Sequence, residues 1–208
     1  FQPLNDMKGF TLDFDNHTVS NLVVTTTGSN TKNESEGTQR FAGIIAHKMQ
    51  ENASVVNIKL DNCMLTADAR RIGLVAGYVK ASVLNNVTVE NCTVKATHTG
   101  ETKGRHVGGV VSNLDYTPEN YVLNATVKNL VIESTDTNTV SAVLCETYKG
   151  SGVTAGSISA ENVTAKKNGE IIEVTAVPSN VTVPEGVQIV VTNVDNATGY
   201  TELAAPQT

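Results

Sequence analysis

The chain has 208 residues, of which 17% are charged and 4% are aromatic, and its formal net charge at pH 7 is −6. An acidic balance of this size disfavours nucleic acid and anionic membrane surfaces as partners. No apolar run approaches the length of a membrane-spanning helix, so we expect no transmembrane segment. The chain opens at Phe1 without the basic and apolar regions of a signal peptide, so any targeting signal is expected to have been removed.

The first predicted element is an opening coil over residues 1–24. Within it, Phe10–Val19 alternate between apolar and polar residues, which predicts a strand that leads to Asn21. Residues 25–40 are rich in Thr, Ser, Asn and Gly and predict a long surface loop. A second polar loop covers residues 97–106. Four further coils are predicted over residues 41–68, 72–96, 107–134 and 140–165.

One pattern recurs in these coils: an apolar residue, any residue, Asn, an apolar residue, any residue and an apolar residue. In the tightest copy, the apolar positions before Asn91 and those after it have opposite parity. The chain must therefore turn at Asn91 to keep its apolar side chains on one side. Asn suits such a corner because it tolerates left-handed backbone geometry. The corner residues, which recur at an irregular interval, are Asn21, Asn62, Asn91, Asn129 and Asn162, with a looser copy at Asn193.

A second element, a short apolar strand containing Gly or Ala, precedes each of the later corners. Its anchors are Gly43, Gly73, Gly109 and Ala142, which recur at a similar irregular interval. Two series with a common period indicate stacked repeats, and abundant Val, Thr and Asn favour strands over helices. We therefore predict an all-β fold: a single right-handed parallel β-helix of about five to six coils over residues 1–165.

Residues 166–208 lose the regular period. Strand-like segments are separated there by Pro178 and Pro184. The open end of a β-helix would pair with other chains, so such ends need a cover. We interpret this segment as a last irregular coil and a β cap of the same domain, with a separate small β module as the alternative.

These motifs resemble the repeats of secreted bacterial β-helix proteins, especially those that carry the GLUG motif. Such repeats pair a Gly-rich strand with a strand in which Asn precedes cysteine or an apolar residue. The opening segment Gly9–Leu22 is also similar to the first coil common in those proteins, although Phe14 stands where they have Gly. The matching Gly-rich strands are Ala42–Ala46, Ile72–Gly77 and Val107–Val111. The resemblance covers about residues 9–165 and implies a parallel β-helix in an extracellular or cell-surface location. It implies no single activity, because such proteins include adhesins and stalks.

The three cysteines, Cys63, Cys92 and Cys145, cannot form a closed disulfide framework. Cys63 and Cys92 each follow a corner asparagine and are predicted to stack as buried apolar thiols. Neither CxxC spacing nor a companion His cluster occurs, so we predict no metal and no cofactor. The nine Asn-x-Ser/Thr triplets are explained by the corner pattern rather than by glycosylation.

Parallel β-helices also include polysaccharide lyases and pectin hydrolases. Glycoside hydrolysis needs two carboxyl groups on a common face, and the nearest candidates are Asp13 and Asp15. In the repeats that this chain resembles, however, that Asp serves a turn. Three other acidic residues, Asp61, Glu90 and Glu161, each precede a corner and predict a solvated outward column. No local Ser-His-Asp or Cys-His motif is present, so we predict no catalytic residue.

Basic residues form the one suggestive binding feature. Three residues before a Gly anchor stand Arg40, Arg70 and His106, with Arg71 and Arg105 adjacent to them. If the coils stack in register, these side chains form a strip, and guanidinium groups bind carboxylate or sulfate with two hydrogen bonds. We therefore predict Arg40, Arg70, Arg105 and His106 as binding residues. The alternative is that they are solvated charges paired with Asp68 or Glu101.

The sequence thus favours a non-enzymatic adhesion or surface-interaction module that binds an acidic glycan or a partner surface protein along its side. The alternative is a carbohydrate-active enzyme or accessory module acting on extracellular polysaccharide. The shortage of aromatic residues counts against a dedicated carbohydrate-binding platform, since sugars usually stack on Trp or Tyr. The oligomeric state is left open by the sequence.

Overall fold

The structure is a computed structural model that describes residues 1–33, 37–97, 105–115, 123–135, 139–147, 157–179 and 188–192. All regular structure in these ranges is β, and no helix occurs in them. The predicted Asn193 corner and Glu101 lie outside the described residues. This part of the chain is therefore all-β, as the sequence predicts.

The strands are short, as expected for a chain that turns often. The first eleven are β1 (Met7–Lys8), β2 (Thr11–Asp13), β3 (Thr18–Ser20), β4 (Val23–Thr26), β5 (Ser29–Asn33), β6 (Gly37–Ala42), β7 (Ala46–Gln50), β8 (Ser54–Asp61), β9 (Met64–Ala67), β10 (Arg71–Gly73) and β11 (Ala76–Lys80). The remaining ones are β12 (Val83–Glu90), β13 (Thr93–Ala96), β14 (His106–Gly108), β15 (Val111–Asp115), β16 (Ala125–Ser134), β17 (Thr139–Ser141), β18 (Leu144–Thr147), β19 (Ser157–Lys167), β20 (Glu170–Ile172) and β21 (Gln188–Thr192).

The strands form three sheets in which nearly all pairings are parallel. The first has the order β1-β7-β11-β15-β18 and the second β17-β14-β10-β6-β5. The third has eleven strands and includes β2, β8, β12, β16, β13, β9 and β4, with β3 beside β8, and with β19 beside β16, β20 and β21. Only β5–β6 and β19–β20 are antiparallel among the described pairs. Val87, for example, lies between Ile58 and Ala125, so sheet neighbours come from successive sequence repeats.

The corner asparagines have the left-handed backbone predicted from the sequence. Their φ angles are 60° at Asn21, 52° at Asn62, 54° at Asn91, 51° at Asn129 and 52° at Asn162. Their side chains also bond to one another: Nδ2 of Asn62 donates to Oδ1 of Asn21 (2.7 Å), Asn129 to Asn91 (2.9 Å) and Asn162 to Asn129 (2.8 Å). We call this series the corner ladder. It is interrupted once, where Asn91 donates to Asp61 instead (2.8 Å).

A second asparagine series lies five residues before the first. Asn16, Asn57 and Asn86 also have positive φ angles, of 60°, 57° and 50°. Nδ2 of Asn86 donates to Oδ1 of Asn57 (2.7 Å) and of Asn16 (3.2 Å). Asn124 continues the spacing, and its Oδ1 accepts a hydrogen bond from the N–H of Ser157 (3.0 Å). Sequence reasoning missed this constant interval of five, although the sequence contains it.

The apolar core lies on the inner side of the sheets and is built from aligned positions. Leu60, Val89, Val127 and Ala160 are in register in successive strands, and all four are fully buried. Leu65, Val94, Ile132 and Ala165 form an equivalent buried row after the corner. The left-handed corner residue therefore keeps the apolar side chains before and after it on the same side, as the change of parity predicts.

One step of the predicted Gly-strand alignment is wrong by one residue: Gly73 lies opposite Gly108, not Gly109. The other two steps agree with the structure, since Ala42 lies opposite Ile72 and Gly108 lies opposite Ser141. The sequence has two adjacent glycines here, so composition alone could not fix the register. Glycine is needed at Gly73 because a Cβ there would lie 2.4 Å from the backbone oxygen of Ala76. The backbone at Gly73 and the backbone at Ala76, at the start of the next strand, therefore lie close together.

The segment after residue 165 pairs with the same sheet. Residue 165 itself lies inside β19, whose last three residues pair with β20 and whose first five residues pair with β21. Val174 and Ala176 are buried in the main core. The N–H groups of Ala142 and Val143 donate to the carbonyls of Thr175 (2.8 Å) and Ala176 (3.0 Å).

Asn129→Ala should lower the free energy of unfolding by about 3 kcal/mol, because left-handed geometry is costly for Ala and two amide hydrogen bonds are lost. Asn129→Gly loses the same hydrogen bonds but adopts the positive φ freely, so its loss should be about 1 kcal/mol smaller. Urea unfolding of both variants checks this. Equal stability of the two would show that the corner geometry carries no cost.

Candidate functional site

The predicted basic residues lie in two adjacent columns of aligned residues rather than in one. The N–H of Arg70 donates to the carbonyl of Arg40, and the N–H of His106 donates to the carbonyl of Arg70 (both 3.0 Å). In the strand ladder, however, His106 lies opposite Arg71. The predicted column of Arg40, Arg70 and His106 is therefore wrong by one residue at its third member. Arg105 takes that place, because the pairing follows Gly108.

The five basic side chains differ in exposure. Arg71, Arg105 and His106 are 4%, 3% and 9% exposed, whereas Arg40 and Arg70 are half-buried. Nη1 of Arg40 lies 3.0 Å from Oδ2 of Asp68. This ion pair is one that the alternative interpretation named. Most of the predicted strip is thus a buried polar cluster rather than an open surface.

Glu146 is the anion at the centre of this cluster, and sequence reasoning missed it. Its Oε2 accepts a hydrogen bond from Nδ2 of Asn113 and lies 3.4 Å from Nε2 of His106 and 3.9 Å from Nη2 of Arg71. Glu146 lies opposite Asn113 in the first sheet, and His106 lies opposite Arg71 in the second. Two columns from different sheets therefore meet at one carboxylate.

Aromatic rings close one side of the same cluster. Phe41 and Tyr78 stack with ring centroids 4.8 Å apart. The Arg71 guanidinium lies 5.7 Å from the Phe41 centroid and 5.8 Å from that of Tyr78, within cation–π range. The Tyr78 hydroxyl donates to Oδ2 of Asp115, while the other oxygen of this buried carboxylate has no hydrogen-bond partner among the described residues. The two rings thus pack against the Arg71 guanidinium, and Tyr78 lies in the same register column as Asn113 and Glu146.

Burial lowers the pKa of His106 below its ordinary value of 6.5. The nearby Glu146 carboxylate opposes this shift, while Arg71 and Arg70 add to it. His47, on β7, also has a lowered pKa because it is buried. Its Nδ1 accepts the N–H of Gly43 at 3.3 Å, which requires an unprotonated nitrogen. Burial thus favours the neutral form of both imidazoles.

The acidic pair considered for hydrolysis has a turn function instead. Oδ1 of Asp13 accepts hydrogen bonds from the N–H of Asp15 (2.9 Å) and from Nδ2 of Asn57 (3.0 Å). These bonds lower the pKa of Asp13, and Asp15 has a left-handed backbone with φ of 48°. The turn function predicted for this Asp is confirmed. A carboxyl with a lowered pKa is unsuited to the proton-donating part of glycoside hydrolysis.

The cysteines are buried thiols, as predicted. Cys63 and Cys92 follow consecutive corners, and the N–H of Cys63 donates to Sγ of Cys92 at 3.4 Å. The hydrogen bond between the two thiols lowers the pKa of Cys63 and raises that of Cys92. Burial raises the pKa of Cys145 to about 12. Among the described residues, no group of three or more His, Cys, Asp or Glu side chains is arranged to hold a metal ion.

The predicted acidic column is present but includes a cation. Asp61, Glu90, Lys128 and Glu161 are in register on the outer side of the eleven-stranded sheet. Nζ of Lys128 lies 3.6 Å from Glu161, and Lys59 pairs with Glu90. The column is therefore a solvated row of mixed charges, which sequence reasoning could have seen in the Lys that precedes Asn129.

Comparisons with models of known protein families, with curated proteins and with solved structures find no match to this chain. The resemblance to GLUG-motif proteins therefore stays a prediction. Within the described ranges, no helix is long or apolar enough to span a membrane.

Glu146→Ala should lower the free energy of unfolding by about 2 kcal/mol, because it leaves Arg71 and His106 buried without their carboxylate. The matched control is Glu161→Ala, whose exposed pair with Lys128 should contribute less than about 0.5 kcal/mol. Chemical unfolding of both variants gives the two values. Similar losses would contradict a structural function for the buried cluster.

Stability should fall as the pH drops below 6.5, the ordinary pKa of histidine. The folded pKa values of His106 and His47 are lowered, so the unfolded state binds more protons in the window between the folded pKa and 6.5. Melting temperatures measured across this window check the direction. His106→Gln should reduce the slope; a protein that becomes more stable on acidification would contradict the assignment.

Proposed function

We propose that the chain is a right-handed parallel β-helix that serves as a non-enzymatic interaction module of a secreted or cell-surface bacterial protein. The fold part of this proposal is supported by three mainly parallel sheets whose neighbouring strands lie about one sequence repeat apart. It is further supported by the two asparagine series, which place equivalent left-handed residues beside each other. Family membership rests on the motifs that resemble GLUG repeats.

The observation that carries the functional part is the outer face of the eleven-stranded sheet. Thr88, Thr126 and Ser159 are in register there, and the row of mixed charges from Asp61 to Glu161 runs beside them. Neighbouring strands lie about 4.8 Å apart, so this face repeats hydroxyl and charged groups at a fixed interval. A surface of this kind suits contact with a repeating polymer or a flat protein surface.

The cysteines and most of the basic residues considered for binding, by contrast, make contacts within the protein. The three thiols are buried, and Arg40, Arg71 and His106 contact Asp68 or Glu146. Arg40 and Arg70 are the predicted binding residues that retain substantial exposure. They define a second surface on which an acidic glycan could be bound through guanidinium hydrogen bonds.

A binding screen against acidic and neutral polysaccharides and surface proteins, with product release followed in the same samples, tests this proposal. We expect saturable binding without turnover. A Thr88→Arg/Thr126→Arg variant should weaken binding at least about tenfold if the outer face is used, since the bulky cations disrupt its regular pattern. An Arg40→Ala/Arg70→Ala variant should abolish binding of acidic glycans if the basic surface is used instead.

The control is Thr175→Arg, which places the same side chain at an exposed position that belongs to neither surface as defined above. Binding that survives both double variants would show that neither surface is the contact. Absence of any glycan or protein ligand would overturn the functional proposal while leaving the fold proposal in place.

One observation favours the enzyme alternative. Asp115 lies two residues after Asn113 on one strand, and Glu146 lies opposite Asn113 on the next, so the two carboxyl groups are diagonal neighbours on one face. Strand spacing and rise place their Cα atoms about 8 Å apart. Inverting glycosidases hold their two carboxyl groups about 6.5 to 9.5 Å apart. Tyr78 and His106 lie in the same cluster. Product release in the screen that is lost in both Asp115→Asn and Glu146→Gln would establish this alternative.

A further inference from the structure

Cys63 and Cys92 occupy equivalent positions in two neighbouring sequence repeats. Met64 lies opposite Thr93 in parallel strands, and each of these residues directly follows a cysteine. The N–H of Thr93 donates to the carbonyl of Cys63 (2.9 Å), so backbone pairing continues at this point. Neighbouring strands lie about 4.8 Å apart. The Cα atoms of the two cysteines are therefore within the separation of about 4.4 to 6.8 Å that a disulfide spans.

The two thiols also contact each other. Sγ of Cys92 accepts the N–H of Cys63 at 3.4 Å, which places this sulfur against the backbone of the other cysteine. A hydrogen bond between the two side chains is the largest influence on the pKa of each. Sγ of Cys63 also donates to the carbonyls of Val19 (3.5 Å) and Asp61 (3.4 Å), but a thiol is a weak donor. Rotation of the side chains can therefore join the two sulfur atoms without a change of register.

The third cysteine, Cys145, provides a comparison within the same chain. Because Leu144 pairs with Val111, Cys145 lies opposite Ser112 in β15 rather than opposite a cysteine. Its Sγ lies 3.3 Å from Oγ of Ser141, and burial raises its pKa to about 12. A thiol with this pKa is almost wholly protonated at neutral pH, whereas the thiolate is the reactive form. We therefore expect Cys145 to stay a thiol under conditions that oxidise the other two.

We propose that Cys63 and Cys92 form a thiol–disulfide modification site whose reagent is a low-molecular-weight disulfide such as oxidised glutathione. The product is a disulfide that links two neighbouring repeats and joins residues 29 positions apart. Such bonds persist in oxidising compartments and stabilise a protein mainly by restricting its unfolded chain. The site does not depend on the proposed binding function.

The exchange has two steps. The pKa of Cys63 is lowered to about 7, chiefly by the hydrogen bond with Cys92, so a large fraction of this residue is thiolate at neutral pH. The thiolate attacks one sulfur of oxidised glutathione, forms a mixed disulfide and releases one glutathione. The hydrogen bond with Cys63, the largest cause of the raised pKa of Cys92, is then lost, so Cys92 gives up its proton, attacks Sγ of Cys63 and releases the second glutathione. Two electrons and two protons pass from the cysteine pair to the reagent.

Burial determines when this exchange occurs. Cys63 and Cys92 are 2% and 0% exposed, so the reagent reaches them before the repeats have packed together or when this part of the folded chain opens locally. We therefore expect the bond to form quickly during folding and slowly in the folded protein.

Refolding from urea in a glutathione redox buffer, with the folded protein in the same buffer as a second sample, tests the proposal. Protease mapping without reductant should find one cross-linked pair of peptides, which contain Cys63 and Cys92, and the intact mass should fall by two hydrogen atoms. Thiol titration of the unfolded chain should fall from three groups to one. The oxidised protein should melt about 5 to 10 °C above the reduced protein.

Cys63→Ala and Cys92→Ala should each abolish the cross-link and the difference in melting temperature between oxidised and reduced protein. The matched control is Cys145→Ala, which removes another buried cysteine and should leave both unchanged. A chain that keeps three thiols in both samples would overturn the proposal, as would cross-links that include Cys145 as often as the other two cysteines. An oxidised protein that melts below the reduced one would also overturn it, since the bond would then be strained in the folded state.

Discussion

The left-handed corner residue is the constraint on which the other features of this structure depend. A strand buries alternate side chains, so a chain that bends must change parity at the bend if its apolar residues are to stay inside. Asparagine permits that change at low conformational cost, and its amide bonds to the equivalent amide in the neighbouring strand. Register, core alignment and the outer columns all follow, since each is set relative to the corner. Where the amide bond is diverted, from Asn91 to Asp61, the backbone geometry is unchanged, so geometry is the stricter requirement.

Much of the fold could be predicted because the corner residue is Asn and the aligned core residues are apolar in successive repeats. The apolar rows around Asn91 and Asn129 could be read directly, and the turn function of Asp13 followed from the resemblance to known repeats. The register of the Gly strands could not, because Gly108 and Gly109 are equivalent in composition and only backbone pairing distinguishes them. Because of that one-residue ambiguity, the predicted basic column contained His106 where the structure has Arg105. A one-residue slip matters this much because it moves a side chain to the other face of its strand.

The buried charges show why a binding site cannot be predicted from one column of aligned residues alone. Arg71 and His106 share a column and look like an exposed basic strip in the sequence. Their carboxylate, Glu146, belongs to a different sheet and to a later repeat of the chain. No local spacing predicts such a contact. The same reasoning applies to Tyr78 and Asp115, whose hydrogen bond joins two repeats. Within the described residues, the buried charges of this cluster are therefore structural partners first, and the proposed recognition rests on the half-buried Arg40 and Arg70 and on the outer face.

The two asparagine series have a further consequence for length variation. Corner spacing differs from one repeat to the next, yet the interval from Asn16, Asn57, Asn86 and Asn124 to the following corner is always five. In these four repeats the segment between the two asparagines therefore has a fixed length, while the length of the rest of the repeat varies. An insertion or deletion inside the fixed segment would misalign two asparagine positions at once.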